Sequence, residues 1–303
     1  MPKIIAGIVL YYPDRDTLKK NIQQLRKQFE TIILYDNTPA GMSPFPFEGN
    51  VHYFSEGKNE GIAHALNCIM EEGEKLGADW VVVFDQDSEI PQNIREEYEK
   101  FLILPKAGIL CSQVIDRRRK YMQLEDVKTP YKEVHKSITS ASCTRVKAWK
   151  EVGGYDDRLF IDLVDNDFSK RLRYKGYRIY QINAVVLEQQ LGVIEYLDTP
   201  LSKFFLKAGD ILHCKHIKKL SYKKHVNPMR IYYTNRNVLY LNKVHKNHGG
   251  IGYESYYCKC FPEFYILFNL ASILRSDKKL ETLKAVIRGT KDGRKLAKTA
   301  IPV

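Results

Sequence analysis

The chain has 303 residues, enough for one large α/β domain or a domain with an appendage, and its composition is that of a globular protein able to bury a sizeable core. Its 48 Lys and Arg against 36 Asp and Glu leave a formal charge of +12, which asks for an anionic partner: nucleotide phosphate, lipid headgroup or nucleic acid. The cysteines Cys68, Cys111, Cys143, Cys214, Cys258 and Cys260 include no pair at zinc-ribbon or CxxC spacing, so they read as reduced cytosolic thiols.

The first ten residues read as a core strand over 4–10 rather than a signal segment, and Tyr11-Tyr12-Pro13-Asp14 follows at once. A helical pattern over 18–28 leads to a strand over 31–35 that ends in Tyr35-Asp36-Asn37-Thr38-Pro39. Next come a helix over 59–76, a strand over 80–84 and another over 107–113. Up to about residue 190 this alternation predicts a mainly parallel sheet with crossover helices. Beyond Gly192 strand patterns become sparse and basic residues interleave with aromatic ones, as in Lys218-Lys219-Leu220-Ser221-Tyr222-Lys223-Lys224. The apolar run over 261–274 is too short to span a bilayer; it suits a helix lying at a membrane interface or one packed on a core.

Four places carry chemistry. The apolar strand Trp80-Val81-Val82-Val83-Phe84 runs into Asp85-Gln86-Asp87-Ser88. If the strand continues, alternation puts both carboxylates on one face about 7 Å apart, within reach of one Mg²⁺ or Mn²⁺; the competing reading is a solvated turn. Asp36 stands at the end of the second strand, where it is also a good turn residue. Asn59-Glu60-Gly61 opens a helix whose free amides favour an anion, with capping by Asn59 as the plainer reading. In a doubly wound sheet these edges are neighbours, so Tyr11, Asp36, Asn59 and Asp85 line one nucleotide crevice.

The fourth place is Phe160-Ile161-Asp162-Leu163-Val164-Asp165-Asn166-Asp167. Its downstream half is helical, so the three acids point in different directions. Asp162 is assigned to capping that helix. Asp165 is assigned as a general base, kept ionised by the helix dipole. Farther on, Arg230, Tyr232, Tyr233, Arg236 and Asn237 have helical spacing and suit a phosphate or a sugar ring, or simply the packed face of an amphipathic helix.

Taken in order, Ile8-Val9-Leu10-Tyr11-Tyr12-Pro13, Tyr35-Asp36-Asn37, Asn59-Glu60-Gly61-Ile62-Ala63, Asp85-Gln86-Asp87-Ser88 and Val164-Asp165-Asn166-Asp167-Phe168 with Arg171 resemble a family-2 glycosyltransferase, nearest its rhamnosyltransferase branch. Gly154-Tyr155-Asp156, the stretch over 230–237 and Gly289-Thr290-Lys291-Asp292-Gly293 extend the resemblance over nearly the whole chain. It implies a GT-A nucleotide-sugar-binding fold, a mainly parallel mixed sheet flanked by helices, as a catalytic domain over 1–200. A mostly helical extension over 201–303 would be membrane-proximal or oligomerising. By the same resemblance Tyr11 and Asp36 hold the nucleotide base, Asn59 and Gly61 shape its pocket, Asp85 faces the ribose or the metal, and Asp87 binds the divalent cation. Asp165 takes the acceptor proton, and Arg230, Tyr233 and Arg236 approach the acceptor or its phosphate.

The implied reaction is a metal-dependent, inverting transfer of a sugar, L-rhamnose first and a UDP-hexose or galactofuranose second, to a glycan or lipid-linked acceptor of cell-surface polysaccharide. The implied setting is cytoplasmic, with peripheral contact to an anionic membrane face. Three positions depart from the relatives: Tyr12 stands where Asn is common, Val164 replaces a Glu before the catalytic Asp, and Gln replaces a His before Leu191-Gly192. Two other readings compete. Asp-x-Asp-Ser also resembles the nucleophile motif of an aspartyl-phosphate phosphatase, although there that strand usually comes first. A basic nucleic-acid-binding protein is the other, and no recognised binding motif accompanies the charge, so no nucleic acid is expected.

Overall fold

The computed structural model describes residues 2–40, 49–118, 122, 124–189, 192, 194–196, 198–213, 215–218, 221–250, 253, 256 and 258–303. Gln190, Leu191, Cys214, Lys219 and Leu220, singled out in the sequence, lie outside the described residues. The chain divides into two compact units, Met1–Gln189 and Gln190–Val303.

The first unit is built from β1 (Ile4–Leu10), α1 (Arg15–Arg26), β2 (Ile32–Asp36), β3 (Val51–Ser55), α2 (Ile62–Lys75), β4 (Trp80–Asp85), α3 (Ile94–Glu99), β5 (Ala107–Ile115), β6 (Tyr131–Val134), β7 (Ser142–Arg145), α4 (Val146–Glu151), α5 (Val164–Tyr174) and β8 (Arg178–Glu188). Its sheet runs in the order β3-β2-β1-β4-β7-β5-β8-β6. β3, β2, β1 and β4 are parallel neighbours, and β5 is parallel to β8. β7 runs antiparallel between β4 and β5, and β6 is an antiparallel edge on β8. The sheet is therefore mixed, with its parallel half at the N-terminal side.

β1 is buried at every position because it lies between two parallel partners with both faces covered, which is why it reads as an unbroken apolar run. On one face Ile4, Ile8 and Leu10 join Leu18, Ile22 and Leu25 of α1 in the main core, and each such side chain contributes roughly 1.5–3 kcal/mol through burial. Helix α1 starts before the predicted position because Asp14 caps it, accepting from the Thr17 N–H at 2.8 Å. Helix α2 starts after its predicted position, at Ile62, for reasons that belong to the site. β3, β6, β7 and β8 escape sequence reading: β3 and β6 are half-exposed edge strands, β7 is Ser-Cys-Thr-Arg, and β8 mixes polar with apolar residues.

The second unit holds a two-stranded ribbon of β9 (Ile194–Tyr196) and β10 (Tyr222–Lys224), with helices α6 (Pro200–Ile211), α7 (Lys215–Lys218) and α8 (Pro228–Val244). It ends in a helical stretch over 261–275 and a C-terminal helix, Lys279–Thr299. The middle of that stretch, Phe264–Leu270, is π-wound. This turns Phe264 and Asn269 inward, and the Asn269 amide exchanges hydrogen bonds of 2.7 and 2.9 Å with Asn235 of α8. Gly289 and Gly293 face the backbone of α8, where a Cβ at either would collide with the carbonyl of Tyr232 or Arg236. No helix among the described residues is long and apolar enough to cross a membrane.

Candidate functional site

From β1 the chain passes to β2 and β3 on one side and to β4 on the other, so the carboxyl ends of β1 and β4 flank a topological switch point. Two loops leave there, beginning at Tyr11 and Gln86. The Gln86 amide binds the backbone of Tyr11 in both directions, its Oε1 accepting from the N–H at 2.6 Å and its Nε2 donating to the carbonyl at 2.9 Å. The Gln86 carbonyl in turn accepts from Asn21 Nδ2 at 3.1 Å. Sequence reading passed over Gln86 as a spacer between two acids; a long amide at that position is the signal that was available. Tyr11 itself stays half-exposed, edge-on to Tyr12 at 4.7 Å between ring centres.

The two acids are not strand neighbours. β4 stops at Asp85, and the Ser88 N–H donates to the Asp85 carbonyl at 3.1 Å, closing a turn. The strand-alternation geometry expected for Asp85 and Asp87 is therefore replaced by turn geometry. Asp85 is half-buried and held: its N–H donates to Ser140 Oγ at 3.1 Å, and its Oδ2 accepts from Gln189 Nε2 at 2.9 Å. Ser140 and Ser88 share a 2.7 Å hydroxyl contact beneath the turn. Asp87 is exposed at its outer side. Carboxylate oxygens fit a hard cation such as Mg²⁺ or Mn²⁺. Among the described residues no third His, Cys, Asp or Glu converges on this pair. Such a cation would keep positions for water and phosphate oxygens, as magnesium commonly does.

Asp36 is fully buried, its carboxylate accepting from Tyr53 Oη at 2.8 Å and from the Thr38 N–H at 2.9 Å. It thus orders the turn after β2, and the Thr38 hydroxyl accepts from the Tyr12 N–H at 2.9 Å. Next to it Asn37 reaches across to the loop before α2. Its Nδ2 donates to Asn59 Oδ1 at 3.0 Å and to the Gly61 carbonyl at 3.2 Å, and its Oδ1 accepts from the Glu60 N–H at 3.0 Å. Asn59 does not cap α2, as its plainer reading held; it accepts from the Gly61 N–H at 3.0 Å in a tight turn, and the residue flanking the helix is Gly61. Gly61 has φ +91, and a Cβ there would stand 2.6 Å from the Phe160 carbonyl. That carbonyl accepts from the Ile62 N–H at 2.7 Å, so α2 cannot extend backwards. Only glycine meets both demands.

The same contact brings the segment before α5 against this loop. Asp162 and Leu163 are both left-handed, at φ 67 and 66, and the residue flanking α5 is Leu163, without a side-chain cap. Asp162 is therefore not the helix cap. Asp165 lies in the first turn and lines a narrow slot with Ser137, Thr139, Thr144 and Tyr155. Burial pushes its carboxyl up, against the lowering effects of the Asn166 N–H, which donates at 2.9 Å, and of Lys136. The dipole does not hold it in the ordinary carboxylate range as expected. A raised carboxyl is a stronger base once ionised. Asp167 is buried and bound twice by Arg171, at 2.7 and 2.8 Å, whose other nitrogen donates to the carbonyls of Val152 and Gly154, both at 2.7 Å. That pair fastens α5 to the loop before it.

Arg230, Tyr233 and Arg236 belong to α8 in the second unit. The Arg236 guanidinium stacks on the Tyr233 ring at 4.8 Å and its Nε donates to Asn237 Oδ1 at 2.9 Å, while Arg230 is exposed. They share a helix, and the residues at the switch point belong to the other unit.

No family model matches the chain. A curated relative, the dTDP-rhamnosyl transferase RfbF of Shigella flexneri, is 27% identical over 212 residues, covering 62% of this chain and 69% of its own. In three dimensions the chain is similar to the mannosyltransferase PcManGT of Pyrobaculum calidifontis, solved with GDP-Man and Mn²⁺, with a TM-score of 0.53 and 13% identity over 98% of this chain and 77% of that one. It is also similar to GalNAc-T7, solved with UDP, GalNAc and Mn²⁺, with a TM-score of 0.52 and 12% identity over 90% of this chain and 58% of that one. The fold is that of GT-A glycosyltransferases, and the resemblance to the rhamnosyltransferase branch stands in the sequence comparison.

Proposed function

We propose that the protein is a glycosyltransferase that takes a sugar from a nucleoside diphosphate at the switch point of its sheet and transfers it with inversion to an acceptor hydroxyl. One observation carries this reading: the loops after β1, β2 and β4 are hydrogen-bonded into a single frame, through Gln86–Tyr11, Thr38–Tyr12 and Asn37–Asn59, that leaves Tyr11 and Asp87 facing outward. The donor base lies against Tyr11 and the Asp36–Thr38 turn, within a pocket shaped by Asn59 and Gly61. Asp85 and Asp87 would hold a divalent cation, which would supply positive charge against the diphosphate.

Asp165 accepts the proton of the acceptor hydroxyl as that oxygen forms its bond to the anomeric carbon. The bond from that carbon to the diphosphate breaks, and its electron pair leaves with the phosphate oxygen. No second acid is needed, because a diphosphate leaves without being protonated. The preferred donor is dTDP-L-rhamnose, supported by the 27% identity to a dTDP-rhamnosyl transferase. The acceptor is a glycan or lipid-linked saccharide of surface polysaccharide. Arg230, Tyr233 and Arg236 are the groups offered to its phosphate.

The second unit supports work at an anionic membrane face. It carries 21 Lys and Arg against 8 Asp and Glu, and it exposes Phe204, Ile211, Ile266, Leu270, Leu274 and Leu280. Calorimetric titration with dTDP, UDP and GDP, each with and without Mn²⁺, tests the centre of the proposal. A Mn²⁺-dependent preference for dTDP, weakened in Asp87→Asn, is expected. Absence of binding by every nucleoside diphosphate would overturn the reading, and a preference for UDP would move it to a UDP-sugar donor.

A further inference from the structure

Outside the proposed donor site, a second set of side chains in the first unit converges. Glu56 follows β3, and His64 and Cys68 stand four residues apart on α2, so they share one helix face. His64 Nε2 lies 3.4 Å from Cys68 Sγ and 3.3 Å from Glu56 Oε2. One ligand atom from each of the three falls within 4.8 Å of the others. The set is accessible from outside, with Glu56 exposed and His64 and Cys68 half-buried.

Behind it the fully buried Tyr35 hydroxyl lies beside the Cys68 thiol. Glu60, Glu71 and Asp157 also act electrostatically on Tyr35 or Cys68, which makes the surroundings favourable to a cation.

We propose that Glu56, His64 and Cys68 form a zinc site, with Tyr35 beside Cys68. Thiolate and imidazole are ligands for Zn²⁺ rather than for Mg²⁺ or Ca²⁺, and a carboxylate completes a three-residue set with room for water. Binding replaces the Cys68 S–H bond with an S–Zn bond and releases that proton to solvent. The ion would tie residue 56 to the first two turns of α2, across the loop that carries Asn59 and Gly61. That last consequence rests on the proposed donor pocket; the existence of the site does not.

Cobalt titration of the chelator-stripped full chain tests the site without nucleotide or turnover, so its failure is separate from failure of the glycosyltransferase reading. One equivalent of Co²⁺ is expected to produce a thiolate-to-cobalt charge-transfer band that Zn²⁺ abolishes. The band is lost in Cys68→Ser and needs at least about 10-fold more Co²⁺ in His64→Gln or Glu56→Gln, while Asp87→Asn retains it. Absence of the band at excess Co²⁺ overturns the proposal. So does an unchanged band in Cys68→Ser, which would point to the exposed Cys260 instead. If Cys68→Ser does not fold, equal cobalt affinity in the wild type and both glutamine variants is the overturning result.

Discussion

The two units of the chain differ in the charge they carry and in the side chains they expose. Residues 1–189 carry 27 Lys and Arg against 28 Asp and Glu, close to neutrality, whereas residues 190–303 carry the whole excess positive charge. In the first unit Asp36, Asn37, Gln86, Ser88, Ser140 and Asp167 are held by hydrogen bonds to backbone or to neighbouring side chains. In the second, Ile211, Leu212, Ile266 and Leu274 point outward among basic residues. A buried polar network fixes geometry because each broken bond leaves an unpaired group in low dielectric. An exposed mixture of apolar and basic side chains fixes nothing until a surface of matching chemistry meets it. The comparison predicts that changes in the first unit damage positioning and chemistry, and changes in the second damage association.

The largest break in that contrast is Asp165→Asn, expected to lower kcat by about 10²–10⁴-fold in a transfer assay while calorimetry shows donor binding unchanged. The same variant has a stability signature. Because burial raises the folded carboxyl above its unfolded value, Asp165 contributes most below the unfolded carboxylate range and loses that contribution as pH rises through the folded value. Asp165→Asn should therefore melt higher than the wild type at neutral pH, by a margin that shrinks as pH falls into the acid range. An equal margin at all pH values would place the carboxyl in solvent.

Gly61→Ala combines a left-handed φ with a Cβ driven onto the Phe160 carbonyl and is expected to cost roughly 1–3 kcal/mol, read as a lower melting temperature. Gln86→Ala removes two hydrogen bonds that hold Tyr11, each worth about 1 kcal/mol, and should weaken nucleotide binding as well as stability. If Gln86→Ala lowered the melting temperature but left nucleotide affinity unchanged, Tyr11 would be no part of the pocket. The smallest effect per residue belongs to the second unit. Reversing Lys284, Lys291 and Lys295, all exposed on the C-terminal helix, should weaken flotation with anionic vesicles by about 1 kcal/mol per lysine, with the melting temperature unchanged. Equal vesicle binding by this variant would end the membrane reading of that unit.

Much of the fold was legible because its signals are local. β1, β2, β4 and β5 announce themselves as apolar runs, since strands covered on both faces need no polar alternation. The turn residues Asp36, Asn59, Gly61 and Asp85 stood out because they end or begin such runs. Misreadings arose where a residue's partner is distant in sequence. Asn59 looked like a cap because its bond to Asn37 cannot be read locally, and Asp162 looked like one because nothing in its neighbours reports a left-handed backbone. The exposed Asp87 and half-buried Asp85 differ through a turn closed by Ser88 and a hydrogen bond from Gln189, 104 residues away.

By itself, then, the sequence determined the alternation of strands and helices, the acids at strand ends and the change of character near residue 190. These depend on periodicity and composition within a dozen residues. Only the tertiary structure decided which acids are held and which are free, why residue 61 must be glycine, and that Glu56, His64 and Cys68 meet. Those depend on strand order, which brings loops tens of residues apart to one edge and lets each side chain find the partner that fixes its charge and direction.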